Sequence, residues 1–195
     1  MENLSFDERL FLLLNFDGGA VLDSCMSAIS GFAMWIPLYL FIAWKVQRSY
    51  GWKSLAAFIV CLALAMSLAD MLCGIFKHTG LLKNLWESFP ARNRPMFDPA
   101  VRDLAHVVSF AHGPYGTVSA HAATTAALGL LSALTIRERW YSWTITFIVL
   151  LISYSRIYLA CHFPQDIVLG LGVGLISGWA MYLLWRKLDI LLKNS

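Results

Sequence analysis

The sequence predicts an all-α protein, a polytopic membrane bundle of about five transmembrane helices with an N-terminal helix in the membrane interface. The chain has 195 residues, of which 58% are apolar and only 14% charged; apolar residues make up about 45–50% of an ordinary soluble domain. Five segments carry the run of about 20 mostly apolar residues that a spanning helix needs. Because no repeat, low-complexity tract or soluble second region separates them, we expect residues 1–195 to form one domain.

The elements follow one another along the chain. The stretch DERLFLLLNF (7–16) is too short to span and is acidic where a signal peptide would be basic, so it is expected to form an amphipathic interfacial helix. The predicted spans are 26–46, 54–76, 117–136, 141–160 and 165–186. In the last span Gly170, Gly174 and Gly178 recur every four residues, a spacing that lets helix backbones approach closely.

Charge and cysteine content exclude some partners and classes. The net charge of +3 is small and the basic residues occur in scattered pairs, so no nucleic-acid partner is expected. Four cysteines show no paired spacing and lie mostly in apolar runs, which indicates small buried residues rather than a disulfide framework.

The distribution of basic residues predicts an orientation. With alternating spans, one side of the membrane receives short flanking clusters at 45–53, 137–139 and 186–193. The positive-inside rule places this side in the cytoplasm. The opposite side, which holds the long loop 77–116, is then the outer, periplasmic face of the inner (plasma) membrane.

All five histidines (78, 106, 112, 121 and 162) lie on that opposite side or at helix ends facing it. Three polar stretches converge there, FKHTGLLKNLWESFPARNRP (76–95), YGTVSAHA (115–122) and SRIYLACHFPQD (155–166). Titratable side chains at such a boundary are costly and usually mark a functional site. We therefore expect one polar site on this face.

The helix ends indicate what this site binds. Pro164 suits the first turn of the last span, which leaves His162 just before that helix and Asp166 close enough to accept a hydrogen bond from its ring. Ser119 and His121 open the third span in the same way. Two helix N-termini with free N–H groups and positive dipole ends would then face one pocket.

Guanidinium groups complete that pocket, since Arg94 and Arg156 carry forks that match phosphate oxygens. A phosphate site with two histidines implies that one neutral imidazole attacks phosphorus while the other, protonated, gives a proton to the leaving oxygen. The Asp166 carboxylate beside His162 would set the tautomer of the attacking ring.

These residues resemble the membrane-bound type 2 phosphatidic acid phosphatase superfamily over about residues 70–175. Its Arg…His…Asp motif is met in full by Arg156, His162 and Asp166, and its Ser–Gly–His motif in part by VSAH (118–121). Its Lys–Arg–Pro motif is met at Arg94 and Pro95, but Glu87 stands where the family has the lysine. Two lysines in an extended loop could replace it, Lys77 and Lys83, and Lys77 is favoured because it directly follows the second span.

The resemblance implies an integral-membrane phosphatase that acts on a lipid phosphate or diphosphate through a phosphohistidine, with no metal and no cofactor. His162 would be the nucleophile, Asp166 its partner and His121 the general acid. The phosphate would be held by Arg94, Arg156, Ser119 and either Lys77 or Lys83. Candidate substrates are undecaprenyl diphosphate, lipid A and phosphatidylglycerol phosphate, and the loop 78–93 is where selectivity is expected.

Three alternatives compete with this interpretation. A non-enzymatic lipid-phosphate carrier or channel would need phosphate binding but no nucleophile. A metal-dependent membrane hydrolase could use the histidines with Asp98 or Asp103, although no histidine pair has the four-residue spacing of a zinc helix. A cysteine phosphatase using Cys161 is rejected, because that chemistry needs an arginine after the cysteine and here Arg156 precedes it.

Overall fold

The computed structural model describes residues 4–109 and 113–194, so His112 lies outside the described residues. The described chain is helical apart from turns, two short 3-10 helices and one isolated bridge between Asn93 and Tyr115. The helices are α1 (Phe6–Leu14), α2 (Gly19–Ser30), α3 (Ile36–Lys77), α4 (Ala120–Ile136), α5 (Arg139–Tyr158) and α6 (Pro164–Lys193). The predicted all-α class is confirmed.

The N-terminal part contains two helices where one was predicted. Helix α1 begins with a capping box, in which the Ser5 hydroxyl accepts from the Glu8 N–H and the Glu8 carboxylate accepts from the Ser5 N–H. Helix α2 follows at an angle of 113° to it. The predicted first span 26–46 is wrong at its start, because it runs across the end of α2, where Gly31 adopts an extended conformation.

A single glycine divides the long helix α3. Gly51 has φ 85° and ψ 176°, a conformation outside the helical region that favours glycine. The break separates residues 36–50 from residues 52–77, and these halves correspond to the body of the first predicted span and to the second. Both halves line one groove, with Ile42 from the first half, Phe58 from the second and Leu128 from α4.

The glycine repeat of α6 brings this helix into close contact with α4. A Cβ atom added to Gly170, Gly174 or Gly178 would lie 2.4, 2.1 or 2.7 Å from a backbone carbonyl oxygen of α4 or of its N-cap residue. No side chain fits in such gaps, so the close approach predicted from the spacing is confirmed. It places the start of α4, which carries His121, beside the start of α6, which follows His162.

The outer faces of the bundle are apolar. Val60 on α3, Phe147 on α5 and Ile176 on α6 are 56%, 64% and 71% exposed, and large apolar surfaces of this kind are unfavourable in water. Two helical stretches, Ala33–Lys77 and Pro164–Lys193, are long and apolar enough to cross a bilayer, and the bent pair α1–α2 adds a third if it counts as one span. Helix α4 is apolar but shorter, with 17 residues.

Candidate active site

The three polar stretches predicted to converge do meet at one end of the helices. The second stretch contacts the first through Arg94, whose N–H donates to Pro114 O (2.7 Å), and through Gly116, whose N–H donates to Arg92 O (2.9 Å). The third stretch joins them through His162. Helix ends and loops from all parts of the chain therefore form one polar site.

The His162 side chain lies at the centre of these contacts and is only 2% exposed. Its Nδ1 lies 2.9 Å from the carbonyl oxygen of Gly116. Since a carbonyl can only accept, Nδ1 carries the ring proton and Nε2 keeps its lone pair. Nε2 lies 3.2 Å from Nη1 of Arg94, so the free lone pair is aimed at a cation.

Asp166 lies next to this ring but is not bonded to it as expected. Its Oδ2 is 3.6 Å from Nδ1 of His162, and it accepts instead from the N–H of Phe163 at 2.9 Å. The prediction that Asp166 receives the ring proton is wrong because the Gly116 carbonyl is closer. The carboxyl group lies beside the ring without a hydrogen bond to it.

Burial keeps the His162 ring neutral. It lowers the pKa of His162 well below the ordinary value of 6.5, and the positive charges of Arg94, Arg156 and Lys77 lower it further. The neighbouring Cys161 thiol is also buried, and burial raises its pKa, so it stays protonated. Of these two adjacent side chains, only the imidazole is in the form that can act as a nucleophile.

His121 occupies the first turn of α4 and is exposed. The charges of Arg156, Lys77 and Arg94 all act on its ring, as they act on His162, which places both histidines around the same cations. The N–H groups of Ala120 and His121 have no acceptor among the described residues. This helix N-terminus therefore offers free donors, as predicted.

Ser119 caps the same helix and is fully buried. Its Oγ accepts from the Ala122 N–H at 3.4 Å, which leaves the hydroxyl proton available to an anion. Its own N–H donates to the carbonyl of Asp166 at 3.0 Å, so the first turns of α4 and α6 are joined directly.

The N-terminus of α6 does not offer the free N–H groups that the sequence predicted. Pro164 has none, the Asp166 N–H donates to Phe163 O (3.1 Å), and the Gln165 N–H donates to Oδ1 of Asp7 (3.0 Å). Asp7 belongs to α1, which packs over this helix start. One N-terminus, that of α4, faces the site with unused donors.

Three cations in this site have no acidic partner among the described residues. Arg94 donates to the carbonyls of Gly113 and Cys161, both at 3.0 Å. Arg156 donates to the hydroxyl of Ser30, while its buried Nε has no partner. Lys77 is only 8% exposed and makes no ion pair or hydrogen bond with a described residue. Such unpaired charges are costly unless an anion binds them.

The two candidate lysines lie in different surroundings. Lys77 ends α3 inside the site, and its charge acts on both histidines. Lys83 is exposed in the turns that follow. The structure thus brings together His162, His121, Asp166, Arg94, Arg156, Ser119 and Lys77, and leaves Lys83 outside this group.

Several site residues were missed from the sequence. Gly116 supplies the carbonyl for His162, Ser30 contacts Arg156, and Asp7 contacts both Arg92 and the start of α6. A carbonyl carries no signature of residue type, and Ser30 and Asp7 lie far from the motifs in sequence. An acidic residue in the first turn of an amphipathic helix is also ordinary on dipole grounds alone.

Comparison with known proteins identifies the class to which this fold and site belong. The sequence model of the PAP2 superfamily matches residues 60–190. The chain belongs to this superfamily of phosphatases, and the resemblance seen in the motifs is confirmed. Its apolar helices together with this family membership indicate a membrane protein.

Its relatives include two lipid A 4'-phosphatases. The protein of Bacteroides thetaiotaomicron is 31% identical over 190 residues, covering 97% of this chain and 81% of the relative. That of Porphyromonas gingivalis is 30% identical over 180 residues, covering 92% and 72%. An undecaprenyl-diphosphatase of Sulfolobus acidocaldarius is 23% identical over 187 residues, covering 93% and 78%.

A solved structure shares the fold. The crystal structure of Aquifex aeolicus LpxE superposes with a TM-score of 0.66 and 21% sequence identity, covering 93% of this chain and 97% of that chain. At this identity the similarity supports the arrangement of the helices alone.

Proposed function

We propose that this protein hydrolyses a phosphate monoester of a lipid A-type glycolipid through a phosphohistidine at His162. The observation that carries the chemistry is the neutral His162 ring, with its proton on the Gly116 carbonyl and its Nε2 lone pair directed at Arg94. The substrate class is supported by the two lipid A 4'-phosphatases, which are 31% and 30% identical to this chain, against 23% for the undecaprenyl-diphosphatase.

In the first step Nε2 of His162 attacks phosphorus, an N–P bond forms and the bond from phosphorus to the lipid oxygen breaks. His121, protonated when the bound phosphate anion offsets the charges of the neighbouring cations, gives its proton to that leaving oxygen. Arg94, Arg156 and Lys77, with the free N–H groups of α4, hold the equatorial oxygens as charge redistributes. The charge that develops on His162 is stabilised by Asp166, 3.6 Å from Nδ1.

In the second step water attacks phosphorus, and His121, now neutral, accepts a proton from it. The N–P bond breaks, inorganic phosphate leaves and the ring returns to its neutral form. Every proton and bond is accounted for by the two histidines and water, so we propose a reaction that needs no divalent ion. A carrier or channel would have no use for a neutral imidazole among three cations.

We propose that the site opens on the outer face of the inner membrane. The support is the set of basic clusters at the opposite end of the helices, such as Lys45, Arg137 and Arg139. A cysteine introduced at Ala91 should react with an impermeant maleimide from outside intact cells. Labelling only after cell lysis would reverse the orientation without affecting the chemistry.

The test is phosphate release by purified protein from lipid A, undecaprenyl diphosphate and phosphatidylglycerol phosphate, in the presence of a chelator. We expect the fastest release from lipid A, inhibition by vanadate and acid-labile phosphate on the wild-type chain. His162→Ala should lose activity by several orders of magnitude, because the reaction path through the N–P bond disappears.

The matched control is His78→Ala, a histidine whose Nε2 lies 2.9 Å from the Phe89 carbonyl and whose side chain has no hydrogen bond to a site side chain in the described part of the protein. It should retain most of the activity. Full turnover by His162→Ala, or activity that returns only with added metal, would contradict the mechanism. A preference for undecaprenyl diphosphate would contradict the substrate class alone.

A further inference from the structure

Helix α1 contacts the candidate active site through one carboxylate. Asp7 lies in the first turn of α1, and its side chain is only 17% exposed although the helix is amphipathic and peripheral. One oxygen accepts from Nη1 of Arg92, and the other accepts from the N–H of Gln165 at 3.0 Å. A single side chain therefore joins α1, the loop before Arg94 and the first turn of α6.

Arg92 connects this carboxylate to the surroundings of His162. Its guanidinium carbon lies 3.5 Å from the centre of the Phe163 ring, and Phe163 directly follows His162. Its backbone carbonyl accepts from the N–H of Gly116 at 2.9 Å, and Gly116 is the residue whose own carbonyl receives the His162 ring proton. Arg92 thus contacts the residues on both sides of the imidazole.

Packing strengthens the same connection. Phe11, one helical turn after Asp7 on α1, is fully buried and meets the Phe163 ring edge to face at 5.3 Å. Phe163 is therefore held between Phe11 and Arg92. Because the site requires Nε2 of His162 in one orientation, any movement of Phe163 or Gly116 changes the line of attack.

We infer that Asp7 is a positioning residue of this phosphatase, and that α1 is part of the active site although it lies outside the residues 60–190 matched by the superfamily model. Asp7 orients His162 through Arg92, Gly116 and Phe163, and it occupies the Gln165 N–H so that substrate phosphate is directed to the N-terminus of α4. The inference rests on the phosphatase activity proposed above.

The test compares Asp7→Ala and Asp7→Asn with wild type in phosphate release from lipid A. Asp7→Ala should lower kcat by about 10²-fold, the cost of a small misplacement of reacting groups. KM and inhibition by inorganic phosphate should change by less than about threefold, because the three cations remain. Asp7→Asn keeps an oxygen for the Gln165 N–H and should recover part of kcat.

The control is Glu8→Ala, which removes the adjacent carboxylate of the same turn. Glu8 caps α1 through the Ser5 N–H and forms no hydrogen bond or ion pair with a described site residue, so it reports the effect of a weaker helix alone. Equal losses of kcat in Glu8→Ala and Asp7→Ala, or an unchanged kcat in Asp7→Ala, would overturn the inference. If wild-type protein itself released no phosphate, the proposed function would be overturned. That outcome differs from every outcome that contradicts the role of Asp7 alone.

Discussion

Both ends of the helix bundle carry basic residues, but the surroundings of these residues differ between the two ends. At the end remote from the site, Lys45 pairs with Glu138, and Lys193 pairs with Asp189 at 2.7 Å. Asp189 also accepts from the buried hydroxyl of Ser54 at 2.6 Å. Both acids at this end are thus paired, and the other basic residues of its clusters (Arg48, Lys53, Arg137, Arg139, Arg186 and Lys187) are exposed to the surroundings of the bundle.

Four basic residues at the site end are buried or half-buried, of which one is paired with an acid and three are not. Arg92 pairs with Asp7, whereas Lys77, Arg94 and Arg156 have no acidic partner among the described residues. All three charges act on both His121 and His162. Close, partly buried like charges without counterions are unfavourable, so this end of the protein is organised for an anion that arrives from outside.

This difference shows that burial without an acidic partner, rather than the number of basic residues, distinguishes a functional charge from a structural one. A paired cation stabilises the fold, and its removal should cost stability. An unpaired cation at the site is tolerated for binding, and its removal should cost activity while leaving stability unchanged or higher. Substitutions at the two ends test whether the site end affects activity and the remote end affects stability.

The largest effect is expected from Lys77→Met at the site end. A charge-assisted hydrogen bond contributes about 1.5–3 kcal/mol, which corresponds to a loss of roughly 10- to 150-fold in kcat/KM. The melting temperature in detergent should be unchanged or raised, because a buried unpaired charge is replaced by an apolar chain of similar length. Phosphate release and thermal unfolding measured on one preparation give both values.

Lys83→Met is the matched control, since Lys83 is exposed and lies outside the group of cations. It should lower activity less than Lys77→Met. Equal, small losses in both variants would mean that neither lysine contacts the phosphate, and a lower melting temperature for Lys77→Met would break the contrast between the two ends.

An intermediate effect, on stability rather than on activity, is expected from Asp189→Ala at the remote end. It leaves the buried Ser54 hydroxyl without its acceptor and Lys193 without its partner, at a cost of about 1–3 kcal/mol in the free energy of unfolding. Activity per folded molecule should stay at the wild-type level. Denaturation in detergent and a phosphate-release assay measure these quantities, and a specific loss of kcat would show that this end also serves the reaction.

The smallest effect concerns pH and stability at the site end. The folded-state pKa of His162 is well below its unfolded value of about 6.5, so the unfolded chain binds a proton more readily. Its contribution to stability is complete above pH 6.5 and is lost as the pH falls below it, by about 1.4 kcal/mol for each pH unit. This histidine should therefore lower the melting temperature of wild type between pH 7.5 and 5.5 relative to a chain without it.

The same measurement on His162→Gln isolates this histidine from the others. Its melting temperature should depend less on pH over that interval, whatever its absolute value. Parallel curves for the two proteins would mean that the ring of His162 is as readily protonated in the folded state as in the unfolded chain.

The fold class and most of the candidate site could be predicted from the sequence alone. Runs of apolar residues specify helices in a bilayer because every backbone group must be bonded within its own segment there. The spacing of Arg156, His162 and Asp166 identified the superfamily, and the four-residue glycine repeat predicted the close packing of two helices. These are local patterns, whose residues are neighbours on one helix or one turn.

Contacts between groups that are far apart in the sequence could be identified only from the tertiary structure. The His162 ring proton goes to Gly116, 46 residues away, rather than to Asp166, and Asp7 takes the N–H of Gln165, 158 residues away. It also distinguished Lys77 from Lys83 by burial and showed three cations that have no acidic partner in the part of the chain that the structure describes. Hydrogen-bonding groups compete for the nearest acceptor, and helix packing sets which acceptor is nearest, so spacing along the sequence does not encode the result.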